Sequence, residues 1–158
     1  MHPSAERFQQ RARDAHDIEV DVHEFPAGTK TAADAAAAVG CDVAQIASSI
    51  ALRAGEDLVV VVTSGANRVS ESRVADLEDV AADAVEMADA EEIKATLGWS
   101  IGGVPPFCHE RSVPTYLDAD LTAFETVWAA AGTPEAVFPI APDRLVEAAD
   151  PTVTSVAD

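Results

Sequence analysis

Lysine is nearly absent from this chain, and cysteine, aromatic residues and long apolar runs are scarce. Of 158 residues, only Lys30 and Lys94 are lysine, two are cysteine and 5% are aromatic. Two distant cysteines argue against a disulfide framework and favour a reducing compartment. So few aromatic residues exclude a surface on which successive nucleic-acid bases stack. No apolar run approaches the roughly 20 residues that a membrane span needs. We therefore expect a cytoplasmic protein with no membrane partner.

The length points to a single domain, and the first residues bear on whether the chain is secreted. A chain of 158 residues with 48% hydrophobic residues is long enough for a proper core. The segment from Met1 to Arg7 has no apolar region, so we expect no secretory signal. The sequence predicts one domain over residues 1–158.

Acidic residues dominate the charge. There are 28 acidic against 10 basic residues, which gives a net charge of −18. At ordinary ionic strength such a surface repels nucleic acid, because attraction to phosphate dominates that affinity. In a salt-rich cytoplasm the Debye length falls to about 3 Å at 1 M, and the repulsion disappears. The acidic residues are scattered rather than gathered in one tail, which favours the halophilic interpretation. The charge therefore does not exclude an RNA partner.

The order of elements predicts an α+β domain with a mainly antiparallel sheet. Ser4 is the expected N-cap of the first helix, and the apolar run at residues 58–63 predicts a central strand covered on both faces. Gly40 and Gly98 are expected to end helices. Helices are predicted at 5–15, 32–39, 70–77, 90–97 and 143–148, with a short helical turn at 42–46, and strands at 18–25, 48–53, 58–63, 85–87, 113–117, 124–129 and 136–140, followed by a short final strand or frayed tail at 152–158.

The segment at residues 98–109 stands out by its glycine and proline pairs. Its centre reads Ile101-Gly-Gly-Val-Pro-Pro-Phe107. Glycines let a ligand approach the bare backbone, and prolines stiffen the chain. A stiff loop with exposed N–H groups can hold a carbonyl, carboxylate or phosphate oxygen. Composition alone leaves a plain connecting turn equally open.

The other chemistry-bearing residues form no strong motif. The four histidines show no metal-ligand spacing, so no metal site is expected. Cys108 precedes His109, and an imidazolium can activate a thiol. Neighbours on an extended segment point to opposite faces, which argues against such a pair. His109 remains a candidate for substrate contact, and the Ser64-Gly-Ala-Asn-Arg68 segment is either a polar pocket wall or a turn.

Several blocks in order resemble the YbaK family of aminoacyl-tRNA deacylases, which is related to the editing domain of prolyl-tRNA synthetases. They are Thr29-Lys-Thr-Ala-Ala-Asp-Ala-Ala-Ala-Ala-Val-Gly-Cys41, Ala44-Gln-Ile-Ala-Ser-Ser-Ile50, Ser64-Gly-Ala-Asn-Arg-Val69, Met87-Ala-Asp-Ala-Glu91, Ile101-Gly-Gly-Val-Pro-Pro-Phe107 and Val127-Trp-Ala-Ala-Ala-Gly-Thr-Pro134. The match covers residues 24–140. Blocks that occur in the same order are more specific than any one of them.

The resemblance implies trans-editing, the hydrolysis of the ester that joins a wrong small amino acid to a tRNA, usually proline tRNA. It also implies a single α+β domain with a twisted, largely antiparallel sheet and surrounding helices. Aminoacyl-tRNA, through its acceptor end, is the implied partner, with prolyl-tRNA synthetase as a second candidate. No cofactor and no metal are expected. In the family, a pocket lysine and the amides of the Gly-x-x-Pro loop serve the reaction.

This chain departs from the family at two positions. Where relatives read Ala-Lys-Ser, it reads Ala47-Ser48-Ser49, so Ser48 replaces the pocket lysine. Where relatives often carry histidine, it has Glu135. A serine hydroxyl cannot supply a fixed charge. Lys30, Arg68 or Arg111 could replace the cation, the pocket could accept a different substrate, or the chain could be a non-catalytic tRNA- or synthetase-binding relative.

The resemblance and the loop together give the candidate site residues. The candidates for catalysis are Ser48, Gly102 and Gly103. The candidates for substrate binding are Lys30, Thr31, Ser49, Asn67, Arg68, Pro105, His109, Gly132, Thr133 and Glu135.

The charge generates a prediction about stability. We expect the protein to lose its fold or its solubility on dialysis to low salt, because unscreened carboxylates repel one another. Thermal unfolding followed by circular dichroism between roughly 0.1 and 3 M potassium chloride tests this. A melting temperature that does not change with salt would refute the halophilic interpretation.

Overall fold

One sheet runs through the protein, with helices packed around it. The computed structural model describes residues 1–26, 29 and 31–157. In this part the helices are α1 (Pro3–His16), α2 (Ala32–Val39), α3 (Glu71–Glu78), α4 (Ala90–Leu97) and α5 (Pro142–Ala149). The strands are β1 (His23–Glu24), β2 (Ile46–Ala54), β3 (Asp57–Ser64), β4 (Val85–Met87), β5 (Thr115–Asp118), β6 (Val127–Ala130), β7 (Ala136–Ile140) and β8 (Thr152–Thr154). Short 3-10 helices lie at Val43–Gln45, Ala82–Ala84 and Ala119–Ala123.

The sheet is mixed. Its strand order is β1-β7-β6-β2-β3-β5-β8, and β4 pairs with β2 beside this path. The pairs β1–β7, β6–β7, β2–β3 and β2–β4 are antiparallel, whereas β2–β6, β3–β5 and β5–β8 are parallel. The predicted α+β class is confirmed, with more parallel pairing than the sequence indicated.

The core lies on both sides of β3. Val59 to Val62 are fully buried, and they alternate between two clusters. The larger cluster contains Phe8 of α1, Trp99, Phe107 and Phe138, and the smaller contains residues of α3 and β4. The prediction of a central strand covered on both faces is confirmed.

Glycine and aspartate end the helices. Gly40 and Gly98 take the left-handed conformation after α2 and α4, as predicted. Asp17, Asp79 and Asp150 take the same conformation after α1, α3 and α5. Aspartate tolerates this conformation better than most residues, so carboxylates stand at three helix C-termini.

Three local predictions are wrong. The predicted strand at 18–25 is reduced to β1, because Ile18 and Val20 are buried in the main cluster without a strand partner. Helix α1 begins at Pro3, and the His2 ring, not Ser4, accepts a hydrogen bond from the Ser4 N–H at 3.0 Å. Residues 124–126 lie outside a strand, so β6 begins at Val127.

The carboxylate of Asp118 joins β3, β5 and the loop that follows β3. Its side chain is almost fully buried. It accepts hydrogen bonds from the Thr63 hydroxyl at 3.2 Å, the Ser64 N–H at 3.0 Å and the Asn67 amide at 2.9 Å, as well as from the Asp120 N–H at 3.0 Å. A buried carboxylate with this many donors holds the loop at 64–67 in place.

No helix in the described residues is long and apolar enough to cross a membrane.

The Asp118 network predicts a large loss of stability on Asp118→Asn. The NH2 group that replaces one carboxylate oxygen cannot accept a hydrogen bond, and the charge that strengthens the other hydrogen bonds is lost, so we expect about 3 kcal/mol less free energy of unfolding. Denaturant unfolding in high salt measures it. Asp83→Asn, at an exposed position, removes the same charge and serves as the control. Equal stability of the two variants would contradict this role of Asp118.

Candidate functional site

The site begins with a gap along one edge of β2. On one side β2 pairs with β3 over its whole length from Ala47 to Ala54. On the other side, β6 pairs only with Ile46 and Ala47, and β4 pairs only with residues 52–54. Within the described chain no strand covers residues 48–50 on that side. Their backbone groups on this edge are left without ladder partners, as at an exposed sheet edge.

A cavity of about 220 Å³ lies at this gap; we call it the edge cavity. Residues 46–51 of β2 form one wall, and Ile101, Gly102 and Val104 form another. The remaining walls come from α2, α4, β4, β6 and β7, and from Thr29 and Thr31. Most of the walls are apolar side chains, several of them alanines, so the cavity accommodates a small group.

The loop at 98–109 turns tightly where it meets the cavity. The Gly103 N–H donates to the Ser100 carbonyl at 3.0 Å, and Gly102 has a φ of +85°. This conformation favours glycine at position 102. The Gly103 N–H was predicted to bind a substrate oxygen, but it already donates its hydrogen bond within the turn. The Gly102 N–H has no acceptor in the described residues, and Gly102 lines the cavity.

Close backbone packing holds this loop. A Cβ added at Gly103 would lie 2.6 Å from the Thr133 Cα, and one added at Gly132 would lie 2.7 Å from the Ser4 carbonyl oxygen. Either contact would force the backbone to shift. The two glycines thus let the loop at 98–109, the turn at 131–134 and α1 meet directly.

Arginines of α1 hold both ends of the loop. The Arg7 guanidinium donates to the Gly98 carbonyl, and that of Arg11 donates to the His109 carbonyl at 3.5 Å. Both guanidinium groups lie over the ring of Trp99, at 4.1 and 5.8 Å from its centroid. Trp99 is fully buried, and its indole N–H donates to the Cys108 carbonyl at 3.0 Å. Trp99 supports the loop from behind and leaves the edge cavity open.

The polar side chains of the edge cavity are neutral. Ser48, Ser49, Thr29 and Thr31 line it, and among its described lining residues none is ionisable. The Thr29 hydroxyl donates to the Pro134 carbonyl at 2.7 Å, and the Thr31 hydroxyl accepts from the Asp34 N–H at 3.0 Å. The Ser49 hydroxyl is buried and has no hydrogen-bond partner in the described residues.

A second cavity of about 410 Å³ adjoins the first and shares Ser48, Ile50, Ala32 and Met87 with it. The loop after β3 lines it, including Asn67 and Arg68. The Asn67 amide is bound to Asp118 and to Asp120, at 2.9 and 2.8 Å. Arg68 is exposed and has no ion-pair partner in the described residues. We call this space the Arg68 cavity.

His109 and Cys108 line a third cavity, separate from the other two. His109 Nε2 lies 2.8 Å from the Pro105 carbonyl, so this nitrogen carries the proton and donates. Burial lowers the pKa of His109, and burial raises the pKa of the Cys108 thiol to about 11. Both groups are neutral at pH 7, the opposite of an activated thiolate–imidazolium pair.

The predicted site residues therefore fall into groups. The edge cavity brings together Ser48, Ser49, Thr31 and Gly102. Behind it, Gly103, Gly132, Thr133 and Pro105 form the loop packing rather than the cavity wall. Glu135 is exposed and is absent from the walls of the three cavities. Asn67 and Arg68 lie on the Arg68 cavity, and His109 lies on the third. Lys30 lies outside the described residues.

Several cavity residues were not among the predicted site residues. Thr29 and Ile93 are buried, and Ile101 and Met87 are exposed at the rim. The exposure of two large apolar side chains is a signal that a sequence does not carry. Trp128 is a half-buried wall residue of the edge cavity, and Trp99 is in the core.

Comparison with known proteins identifies relatives over most of the chain. Residues 26–148 match the family described as "Aminoacyl-tRNA editing domain". A crystal structure described as that of a candidate trans-editing enzyme for prolyl-tRNA synthetase is 35% identical, with a TM-score of 0.93, and the match covers 100% of this chain and 99% of that one. The uncharacterized protein YwhH of Bacillus subtilis is 29% identical over 130 residues, which are 82% of this chain and 81% of that protein. The hypothetical protein APE2540 is 24% identical, with a TM-score of 0.83 over 96% of this chain and 99% of that chain, and shares the fold.

The surroundings of Cys108 predict slow reaction with iodoacetamide. A thiol with a pKa of about 11 holds about 300-fold less thiolate at neutral pH than a free cysteine of pKa about 8.5. We expect slow alkylation of Cys108 in the folded protein and a rate that rises up to about pH 11. Mass spectrometry of native and unfolded samples measures it. Equal alkylation rates of Cys108 in the two samples would contradict the raised pKa of its thiol.

Proposed function

The chain belongs to the aminoacyl-tRNA editing domain family, and from this premise we propose that it hydrolyses the ester of a wrong small amino acid on proline tRNA. The observation that carries the proposal is the edge cavity, where an unpaired amide at Gly102 meets a small, largely apolar space. The 35% identical relative, described as a candidate trans-editing enzyme for prolyl-tRNA synthetase, supports the choice of tRNA.

In the proposed reaction a water attacks the carbonyl carbon of the ester. The water oxygen forms a bond to that carbon, and the bond between the carbon and the ribose oxygen breaks. The proton lost by the water ends on the ribose oxygen, which leaves as a hydroxyl. The products are the free amino acid and the uncharged tRNA.

The residues of the edge cavity support two parts of this reaction. The Gly102 N–H binds the negative charge that develops on the carbonyl oxygen, and such a donor is worth roughly 3 kcal/mol. No ionisable side chain lines the cavity in the described part of the chain, so we assign the transfer of the proton to the substrate's own ribose hydroxyl and to water. The aminoacyl side chain lies among the alanines.

The missing lysine leaves a second candidate function. Ser48 occupies the position of the family's lysine, and the described walls of the edge cavity carry no charge. A protein that binds tRNA or the synthetase without hydrolysis needs neither the lysine nor another charge in this cavity. Lys30, Arg68 or Arg111 would have to supply the cation in a catalytic protein. Arg68 lies on the adjoining cavity and has no ion pair in the described residues.

We expect release of amino acid from alanyl-, cysteinyl- or seryl-tRNA for proline in high potassium chloride, and expect Gly102→Ala to slow it about 100-fold. At a φ of +85° an alanine is strained and shifts the donor. Gly55→Ala is the matched control, because Gly55 has a φ of +66° and its added Cβ would meet Val80 at the same 3.5 Å as Gly102 meets Pro134.

Three results separate the candidate functions. Release that falls in Gly102→Ala and persists in Gly55→Ala supports the deacylase. No release from any of the three substrates, with retained tRNA binding, supports the non-catalytic protein and overturns the deacylase. Loss of release in Lys30→Met, Arg68→Met or Arg111→Met alone would identify the cation.

A further inference from the structure

The edge cavity touches both faces of β2. Side chains alternate along a strand, so the odd-numbered residues at 47–51 and the even-numbered residues at 46–50 lie on opposite faces of the sheet. All six line the cavity, as do Ala35 of α2, which packs with Ile46, and Ile93 of α4, which belongs to the same core cluster as Ala47. A cavity over one face would be lined by one set only. The edge cavity therefore lies beside β2, where a strand presents its backbone.

Two hydrogen bonds show which residues of β2 direct their backbone groups into the gap. The Ala51 carbonyl accepts from the Ala88 N–H, next to β4, at 3.2 Å, and the Ile46 carbonyl accepts from the Gly65 N–H, next to β3, at 2.8 Å. The N–H and C=O groups of successive residues point to opposite sides of a strand. Odd-numbered residues of β2 thus face the gap. Between positions 48 and 50, the N–H and the carbonyl of Ser49 are left without a strand partner in the described chain.

The accessible part of Ser49 agrees with this orientation. The residue is partly exposed, although its hydroxyl oxygen has no accessible surface. The surface that Ser49 offers to the edge cavity therefore belongs to its main chain and its Cβ. A backbone carbonyl is a strong acceptor, and one without a protein partner is available to a bound molecule.

The edge cavity offers few side-chain acceptors for an amino group. No carboxylate and no imidazole line it in the described part of the chain. The Thr29 hydroxyl already donates to the Pro134 carbonyl, and the Thr31 hydroxyl already accepts from the Asp34 N–H. An amino group that enters a largely apolar space needs acceptors for its N–H groups, because it leaves its hydrogen bonds to water behind.

We infer that the Ser49 carbonyl accepts a hydrogen bond from the α-amino group of the aminoacyl ester, so that the site requires a free amino group on its substrate. This inference rests on the proposed deacylase function, which puts the aminoacyl group in the edge cavity. Every aminoacyl ester carries this amino group, so the contact orients the ester and does not select the side chain. Esters whose amino group is missing or blocked lose the contact.

Two probes that differ only in the amino group test the inference. They are 3′-deoxy-3′-(L-alanyl)aminoadenosine and its propionyl counterpart, whose amide bonds to the nucleoside resist hydrolysis. Titration calorimetry with the whole protein in high potassium chloride measures their affinities. We expect the alanyl probe to bind about tenfold or more tightly than the propionyl probe, because a hydrogen bond to a charged donor is lost.

A change in the backbone assigns this preference to one carbonyl. Replacement of Ile50 by its α-hydroxy acid turns the amide after Ser49 into an ester, whose carbonyl is a weaker acceptor. The same replacement at Leu52 is the matched control. Both remove an N–H that faces β3, but the second weakens the Ala51 carbonyl, which Ala88 already binds. We expect the preference for the alanyl probe to fall in the Ile50 variant and to persist in the Leu52 variant.

The outcomes separate this inference from the proposed function, which the release of amino acid decides. If the two probes bind equally, or if the Ile50 variant keeps the full preference, the Ser49 carbonyl does not bind the amino group and the inference is overturned. If neither probe binds, it is overturned as well. If the preference is present and falls in the Ile50 variant although no ester is hydrolysed, the proposed function fails and the inference stands as one about ligand binding.

Discussion

The pairing of β2 is the constraint on which the site depends. This strand is held along its whole length by β3, while its other edge is covered only at its two ends, by β6 and by β4. The gap between them is fixed because both flanking strands are tied into the same sheet. Any group bound there contacts β2, whose backbone is held by its pairing with β3. The loop at 98–109 lies beside the gap. This loop is held by α1 and by the turn before β7.

The sequence predicted features that depend on local chemistry. The run Val59 to Val62 and the stop at Gly98 have local causes, burial on both faces and a left-handed residue, and both were found. The alternation at Ile18 and Val20 predicted a strand, but the same alternation arises when an extended segment packs on a core without pairing. Resemblance placed Gly102 in the site. The gap beside residues 48–50 could not be foreseen, because it depends on how distant strands pair.

The position of Ser48 matters because of what surrounds it. Ser48 lies where the edge cavity and the Arg68 cavity meet, so a charge there would act on both. The described walls of the edge cavity carry neutral groups instead, among them the Gly102 backbone and the side chains of Ser48 and Thr31. A site built from dipoles depends on accurate placement, because no net charge compensates for a displaced donor. The close packing at Gly103 and Gly132 supplies that placement.

The aspartates after α1, α3 and α5 place part of the acidic surface charge at helix C-termini. A helix carries partial negative charge at its C-terminus, and a carboxylate there is repelled by it. Asp17, Asp79 and Asp150 each occupy this position, where glycine is more usual. Dissolved cations reduce that repulsion over short distances. Desalting would therefore weaken the C-terminal ends of these three helices, among them α1, whose arginines hold the loop at 98–109.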